Sequence, residues 1–480
     1  MTETIENAGR RTPLYESVAN RISYLVEEGT FRPGEKIPSI RSLSHQFGVS
    51  INTIKQAYAY LEDRRVVEAR PQSGYFVCAR LPEVPVAPQV SKREISPTEV
   101  SLGDLSQMIL RDTMNPDLLQ LGISAPAMDM LPIEKLNRMI SSELRRKPEQ
   151  SMEYAVPPGN KRLRTQVAKR MLLAGCTLRP DEIVTTTGCM EAVFLALKVL
   201  CRPGDTVAVE SPTFFNFLQL IESLGLKALE IPTSPADGIS LEALEYALGQ
   251  NRISTCLVVS NFSNPLGSIM PDARKQEMVE LLERHDVPLI EDDIHGDIAF
   301  ANERPLVARS YDKEGNVLLC SSFSKTVAPG YRVGWIAPGR YQKEIEALKM
   351  AVTVASASPT QMAVGQFLAN GGYERHLRKL RRESATRVAR MSEAIGVYFP
   401  EGTKVTRPRG GFCLWVEMPA AVDSLKLYAE AVDSGITIAP GPIFSATGKF
   451  SNCIRLNAAL WSEKIEHAIK TLGELASRQV

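Results

Sequence analysis

The 480-residue sequence predicts two folds on one chain: a small α+β module of three helices and a β-ribbon, then a large α/β domain on a mostly parallel sheet. Three observations predict this. Residues 13–78 carry three apolar stripes at helical period, followed by two short β-rich runs. Residues 79–113 hold Leu81-Pro82-Glu83-Val84-Pro85-Val86-Ala87-Pro88 and Ser96-Pro97 with no sustained period, which reads as a linker. From about Asn115 onward, short apolar strands alternate with helical stretches, the pattern of a parallel sheet covered by helices. The expected organisation is a front module over 1–80, a linker over 81–114 with a short helix near Leu105–Leu110, and a main body over 115–480. Within that body a larger part is expected at about 150–335 and a smaller α+β part at about 340–480. A flexible linker of this length spans roughly 30–35 Å, and its prolines extend it.

Composition narrows the function. Lys and Arg total 56 against 55 Asp and Glu, which excludes a wholly basic nucleic-acid coat and an acidic tail protein. Hydrophobic residues reach 44%, enough for large cores, and exclude global disorder. No apolar run approaches the ~18–20 residues of a membrane span; Ala192–Cys201 comes nearest and is interrupted by Lys198. The first residues lack the basic and apolar regions of a secretory leader, so a soluble cytoplasmic protein is expected. Eight cysteines stand singly without a C-x-x-C pair, which argues against structural zinc and a disulfide framework; no metal is expected.

In the front module, Leu14, Val18, Ile22, Leu25 and Val26 form a stripe that stops at Gly29. Ser39 is placed to cap a second helix carrying Ile40, Leu43 and Phe47, ended by Gly48. Ser50 caps a third, with Ile54, Ala57, Tyr58 and Leu61 facing inward. Two helices joined by a tight Gly turn are the helix-turn-helix signature. Val66–Ala69 and Tyr75–Val77 then flank Arg70–Gly74 as a hairpin of winged type. The pattern alone also describes a three-helix packing domain without a DNA role. Eleven Lys and Arg against seven Asp and Glu over residues 10–80 decide little.

A specific string decides more. Phe31-Arg32-Pro33-Gly34-Glu35-Lys36-Ile37-Pro38-Ser39-Ile40-Arg41-Ser42-Leu43, continued by Gly48-Val49-Ser50-Ile51-Asn52-Thr53-Ile54, resembles the GntR-type winged helix over some 65 residues. The resemblance implies double-stranded operator DNA as a partner. The first turn of helix three then faces the major groove, where Ser50, Asn52, Thr53 and Lys55 are the candidates to reach base edges. Arg41 is the candidate to grip phosphate, and the wing residues Ser73 and Gly74 can bring backbone close to DNA. The family usually has Gly where this chain has Arg65, which alters the helix-to-wing turn or adds a phosphate contact.

In the main body the clear strands are Glu182–Thr187, Thr206–Glu210, Cys256–Asn261, Leu289–Asp292, Val317–Ser321 and Val333–Ala337. Ligands of such sheets gather at the carboxyl ends of strands. The strongest motif there is Ser322-Phe323-Ser324-Lys325, with Arg332 seven residues on, which suits a Schiff-base lysine beside a phosphate site. Alone, a Lys in a Ser-rich turn is usually solvated; its company decides it. Asn264-Pro265-Leu266-Gly267 follows one strand, Asp292 ends another, and Gly188-Cys189-Met190-Glu191 opens a helix.

Each of these answers a demand of pyridoxal 5′-phosphate. A protonated pyridine nitrogen needs a buried carboxylate, which Asp292 can supply. The ring oxygen O3′ needs a donor, and Asn264 fits. The phosphate prefers a helix N-terminus, where Gly188 and Cys189 offer N–H groups; Ser322, Ser324 and Arg332 complete the cradle.

With these residues in order, the chain resembles fold-type I enzymes of the class I/II aminotransferase family over roughly 115–478. The resemblance implies that Phe214 stacks on the cofactor and that Tyr154 reaches the phosphate of a partner subunit's cofactor, hence a homodimer. It also implies that Arg455 clamps a substrate α-carboxylate. Alone, Phe214 would read as core and Arg455 as a surface ion pair. Where the family has Tyr three residues after the ring-nitrogen Asp, this chain has His295, whose neutral imidazole can donate to O3′. A GntR-type winged helix joined to such a domain resembles the MocR subfamily of transcription regulators. The expected function is a DNA-binding regulator that senses pyridoxal phosphate, an amino acid or an amine; the alternative is a working aminotransferase with a DNA-binding appendage.

Overall fold

The computed structural model describes residues 13–480 except 28–29, 32–33, 65, 71–72, 79–85, 89–95, 102, 104–108, 110, 113–114 and 302. Gly29, Arg65 and nearly all of the expected helix at Leu105–Leu110 thus lie outside the described residues. The chain divides into two compact units, Met1–Val84 and Pro85–Val480.

The first unit holds α1 (Leu14–Glu27), α2 (Ile40–Phe47), α3 (Ile51–Asp63) and an antiparallel ribbon of β1 (Val67–Arg70) and β2 (Gly74–Val77). Its core is built from the predicted stripes: Val18, Ile22, Val26, Leu43, Ile54, Tyr58 and Leu61 are buried. Each such side chain contributes about 1.5–3 kcal/mol. Leu14 departs from the expected stripe and is exposed, while Ala19 takes a buried place. Local chemistry sets the turn between α2 and α3. Ser39 caps α2 by accepting from Ser42 N–H at 3.2 Å, and Gly48 ends it in the left-handed region at φ 64°.

The second unit is centred on a nine-stranded sheet. Its strands are β3 (Thr98–Glu99), β5 (Val184–Thr186), β6 (Thr206–Ser211), β7 (Lys227–Ser234), β8 (Gly238–Ile239), β9 (Ile253–Val258), β10 (Leu289–Asp292), β11 (Val317–Ser322) and β12 (Gly334–Ala337); the intervening β4 (Leu119–Gln120) lies elsewhere. Their order is β3-β7-β6-β9-β10-β11-β12-β5, with β8 on β7. The run from β7 to β11 is parallel, and β12 is antiparallel to both of its neighbours. The sheet is mixed but mostly parallel at its centre. Two strand expectations need correction. The run expected at Cys256–Asn261 pairs as Ile253–Val258, and Glu182 sits in a 3-10 turn ahead of β5. β7 was not anticipated.

A second sheet, in the order β13-β14-β17-β16, is built from β13 (Lys404–Val405), β14 (Cys413–Glu417), β16 (Ala439–Pro440) and β17 (Cys453–Asn457). Beside it, β15 (Ile436–Thr437) pairs in parallel with β4. The opening of the main body is therefore hydrogen-bonded to its C-terminal part. Among the described residues no helix is long and apolar enough to cross a membrane.

Candidate functional site

The exposed end of α3 is shaped by its cap. The Ser50 hydroxyl accepts from Thr53 N–H at 3.1 Å and lies 2.9 Å from the Thr53 hydroxyl, so two expected base readers bond each other across the first turn. Asn52 and Lys55 are exposed there, as is Arg41 on the first turn of α2. Ser73 and Gly74 are exposed at the ribbon. Gly74 has φ +105°, and a Cβ on it would stand 3.1 Å from the Lys36 side chain. Lys36 was not foreseen: it bridges to β2 at Phe76, with its ammonium 6.0 Å from that ring. Arg70 stands 4.4 Å from the same ring while bonding Glu68.

In the second unit, the carboxyl ends of β9, β10 and β11 open on a cavity of about 130 Å³. It is lined by Cys189, Met190, Phe214, Phe217, Val259, Asn264, Asp292, Ile294, His295, Ser322, Ser324, Lys325 and Arg332. The parallel sheet makes this meeting possible, because successive strands deliver their last residues to one edge. Met190, Phe217, Val259 and Ile294 were missed; they carry no chemistry that spacing could flag.

Lys325 is half-buried, and its ammonium, set inside the cavity, donates to the Ser124 carbonyl. Burial, with Arg455 and Arg332 adding repulsion, pushes it down to about 8. Asp292 takes its hydrogen bonds from the Cys189 thiol at 3.3 Å and the Ile294 N–H at 2.9 Å. Burial pushes its carboxyl up to about 7. His295 packs edge-on against Phe412, and burial pushes it down to about 3, so its imidazole is neutral. Neither ring nitrogen has a well-formed hydrogen bond, the Phe262 backbone giving only a weak polar contact.

The phosphate-type cradle forms around α4 (Cys189–Leu200). Gly188 caps it with φ 82° and ψ 174°, and a Cβ there would stand 2.5 Å from the Arg332 guanidinium. Arg332, itself at φ 51°, reaches the Ser324 hydroxyl at 3.5 Å and the Thr187 carbonyl at 3.3 Å. Ser322 accepts from Ser324 N–H at 3.3 Å. Behind the helix start, Glu191 accepts from Thr187 N–H and pairs with buried Lys349 at 3.1 Å. Sequence reasoning missed that pair, although an acidic residue at the third helical position is a capping signal.

Three expected residues do not line the cavity: Gly188, which stands just before Cys189, and also Arg455 and Tyr154. Arg455 is buried, donating to the Asn264 amide oxygen at 3.0 Å and to the Gly122 carbonyl. Asn264 therefore has its oxygen engaged and its NH₂ left to donate. Tyr154 does not reach the cavity of its own chain: it is 80% exposed and lines a separate groove of about 460 Å³ with Lys147 and Arg162. Phe214 flanks the cavity and meets Phe217 edge-on at 5.4 Å.

Two family models match the chain. "Bacterial regulatory proteins, gntR family" covers residues 14–77, and "Aminotransferase class I and II" covers residues 116–472. The uncharacterized HTH-type transcriptional regulator YjiR of Escherichia coli K12 is 41% identical over 97% of this chain and 99% of its own length. The chain belongs to the MocR-type regulators. Another such regulator, YdcR of the same organism, is 36% identical over 97% of the chain and 99% of its own. Among solved structures, the multiple substrate aminotransferase of Thermococcus profundus superposes with TM-score 0.73 and 25% identity, covering 79% of this chain and 96% of that one. This MocR-type regulator thus joins a DNA-binding GntR domain to an aminotransferase fold, and that fold implies pyridoxal 5′-phosphate as its cofactor.

The residues of the regulator fit that group. Asp292 is a buried carboxylate whose hydrogen bonds come from a thiol and an amide, so a protonated ring nitrogen would supply the missing counter-charge. His295 has ring nitrogens to offer a ring oxygen. The α4 N-terminus and Arg332 meet where only glycine fits, an arrangement that would suit the group's phosphate.

Proposed function

We propose that this regulator is a cytoplasmic homodimer that binds operator DNA and senses pyridoxal phosphate, an amino acid or amine, or both, with little turnover. The observation that carries the reading is the convergence of Lys325, Asp292, His295 and Arg332 on one cavity in a chain that also bears a winged helix. Bound pyridoxal phosphate supplies a carbonyl that exchanges between amines and a ring that withdraws electrons. Asp292 would hold the ring nitrogen, Asn264 and His295 the ring oxygen, and Phe214 one face of the ring. Gly188, Cys189, Ser322, Ser324 and Arg332 would hold the phosphate, with Tyr154 arriving from the partner subunit. Lys325 is the resident amine that an amino compound displaces, and Arg455 is the clamp for that compound's carboxylate. On the DNA side, Arg41 and Lys55 supply charge while Ser50, Asn52, Thr53, Ser73 and Gly74 meet the duplex.

Full transamination also needs Lys325 to shuttle a proton while the ring oxygen is tuned for electron flow. His295 offers a neutral N–H where a phenol would share its proton with that oxygen, and a sensor gains nothing by consuming its signal. The test is a panel of amino acids and amines added to the cofactor-loaded regulator. Effectors should shift the cofactor spectrum and DNA affinity, while 2-oxo acid forms at about one turnover per minute or less, against ~1–10³ s⁻¹ for ordinary enzymes. A second reading, a working aminotransferase, is favoured by the presence of both Lys325 and Asp292 in the cavity. Rapid multiple turnover with no effect on DNA binding would select it.

A further inference from the structure

We infer that Ile51 reads thymine methyl groups in the operator. The inference rests on the DNA-binding role above and adds the chemistry of one base contact. Ile51 is the first residue of α3, directly after its cap Ser50. Val49 and Ile54 on either side pack into the core of the front unit; Ile51 does not and is 47% exposed.

A single exposed isoleucine is ordinary on a protein surface. The place is not ordinary, because the N-terminal turn of the second helix is the part of a helix-turn-helix that meets base edges. The hydroxyls beside Ile51 meet the duplex with part of their bonding capacity already used in the cap, Ser50 on Thr53 N–H and on the Thr53 hydroxyl. Over residues 51–56 the exposed side chains are Ile51, Asn52, Lys55 and Gln56. Lys55 can meet phosphate, and Asn52 can pair bidentately with adenine. Ile51 has neither donor nor acceptor in its side chain, so the base feature it can favour is apolar. In the major groove that feature is the C5-methyl of thymine. Ile51 beside Asn52 therefore fits an A·T-containing core in each half-site.

The test uses duplexes selected by the full-length protein from a random pool, then resynthesised with uracil replacing thymine one position at a time. Uracil pairs as thymine does and lacks only the methyl. At least one replacement per half-site should weaken binding about fourfold, the worth of one buried carbon. Ile51→Ala, a change outside the core, should bind the thymine and uracil duplexes alike. Equal binding of uracil and thymine duplexes by the unmodified protein would overturn the Ile51 assignment and leave DNA binding standing. So would a difference that survives in Ile51→Ala. If the full-length protein selects no sequence at all, the DNA-binding role fails first, and this inference with it.

Discussion

An ammonium drawn out of water releases its proton more readily, and Lys325, the nucleophile of the proposed site, is such a group. With Lys325 held near about 8, the neutral amine fraction rises through pH 8 and then saturates, where a solvated lysine would continue toward about 10.4. The rate at which the cofactor-free protein takes up pyridoxal phosphate, followed by absorbance, should therefore climb to about pH 8 and level off. A climb continuing to pH 10 would show Lys325 solvated. Borohydride reduction and peptide mapping should then place the pyridoxyl group on Lys325 and no other lysine. At His295, a Tyr would restore the family's phenol. His295→Tyr should raise 2-oxo acid production at least tenfold and weaken the effect of amino donors on DNA affinity; an unchanged rate would mean that the imidazole is not what limits turnover. These residues were legible in the sequence because their types occur in a fixed order at strand ends. The direction of a side chain was not legible. That Cys189 aims its thiol at Asp292, and that Ser50 and Thr53 satisfy each other, are matters of packing and rotamer.

Helix starts do more here than begin helices. Gly188 combines a backbone region essentially reserved for glycine with a contact that no side chain can share. Gly188→Ala should weaken cofactor affinity at least tenfold, because Arg332 must move, while the thermal midpoint falls by only a few degrees. Cofactor affinity within twofold of the original would remove the α4 start from the phosphate site. At α3, Ser50→Ala should cost about 1 kcal/mol of front-unit stability by leaving Thr53 N–H uncapped. Guanidinium unfolding would measure it. The strands show where sequence pattern works and where it stops. β10 falls where the apolar run ends at Asp292, since both faces of a central strand are buried. β7 hid because it contains Glu230 and Pro232. Glu230 is buried there by its bonds to Lys449 and the Ala446 N–H, and Pro232 stands in the last part of the strand. Both residues read as loop until a tertiary partner is known.

For the whole molecule, the expectation of a front module, a linker and a main body came from changes in period and proline content. The pairing of β4 with β15, residues more than three hundred positions apart, had no local signal. The proposed assembly rests on Tyr154, which is exposed and lines a groove apart from the cavity of its own chain. If it serves a partner subunit, chains bearing Tyr154→Ala and chains bearing Lys325→Ala should each load cofactor poorly, yet form one intact site per mixed dimer. Recovery of binding on mixing tests this, and no recovery would place Tyr154 outside the site. The carbonyls that receive the cations of Lys325 and Arg455 have a further consequence. Lys325 donates to Ser124 and Arg455 to Gly122, so both cations are fastened to one three-residue run just past β4, near the sequence end of the linker. In the roles proposed above, the cofactor joined to Lys325 would undo the first fastening, and an effector's carboxylate on Arg455 would undo the second. On that reading the run would act as a coincidence detector, since either event alone leaves the backbone fastened at the other end.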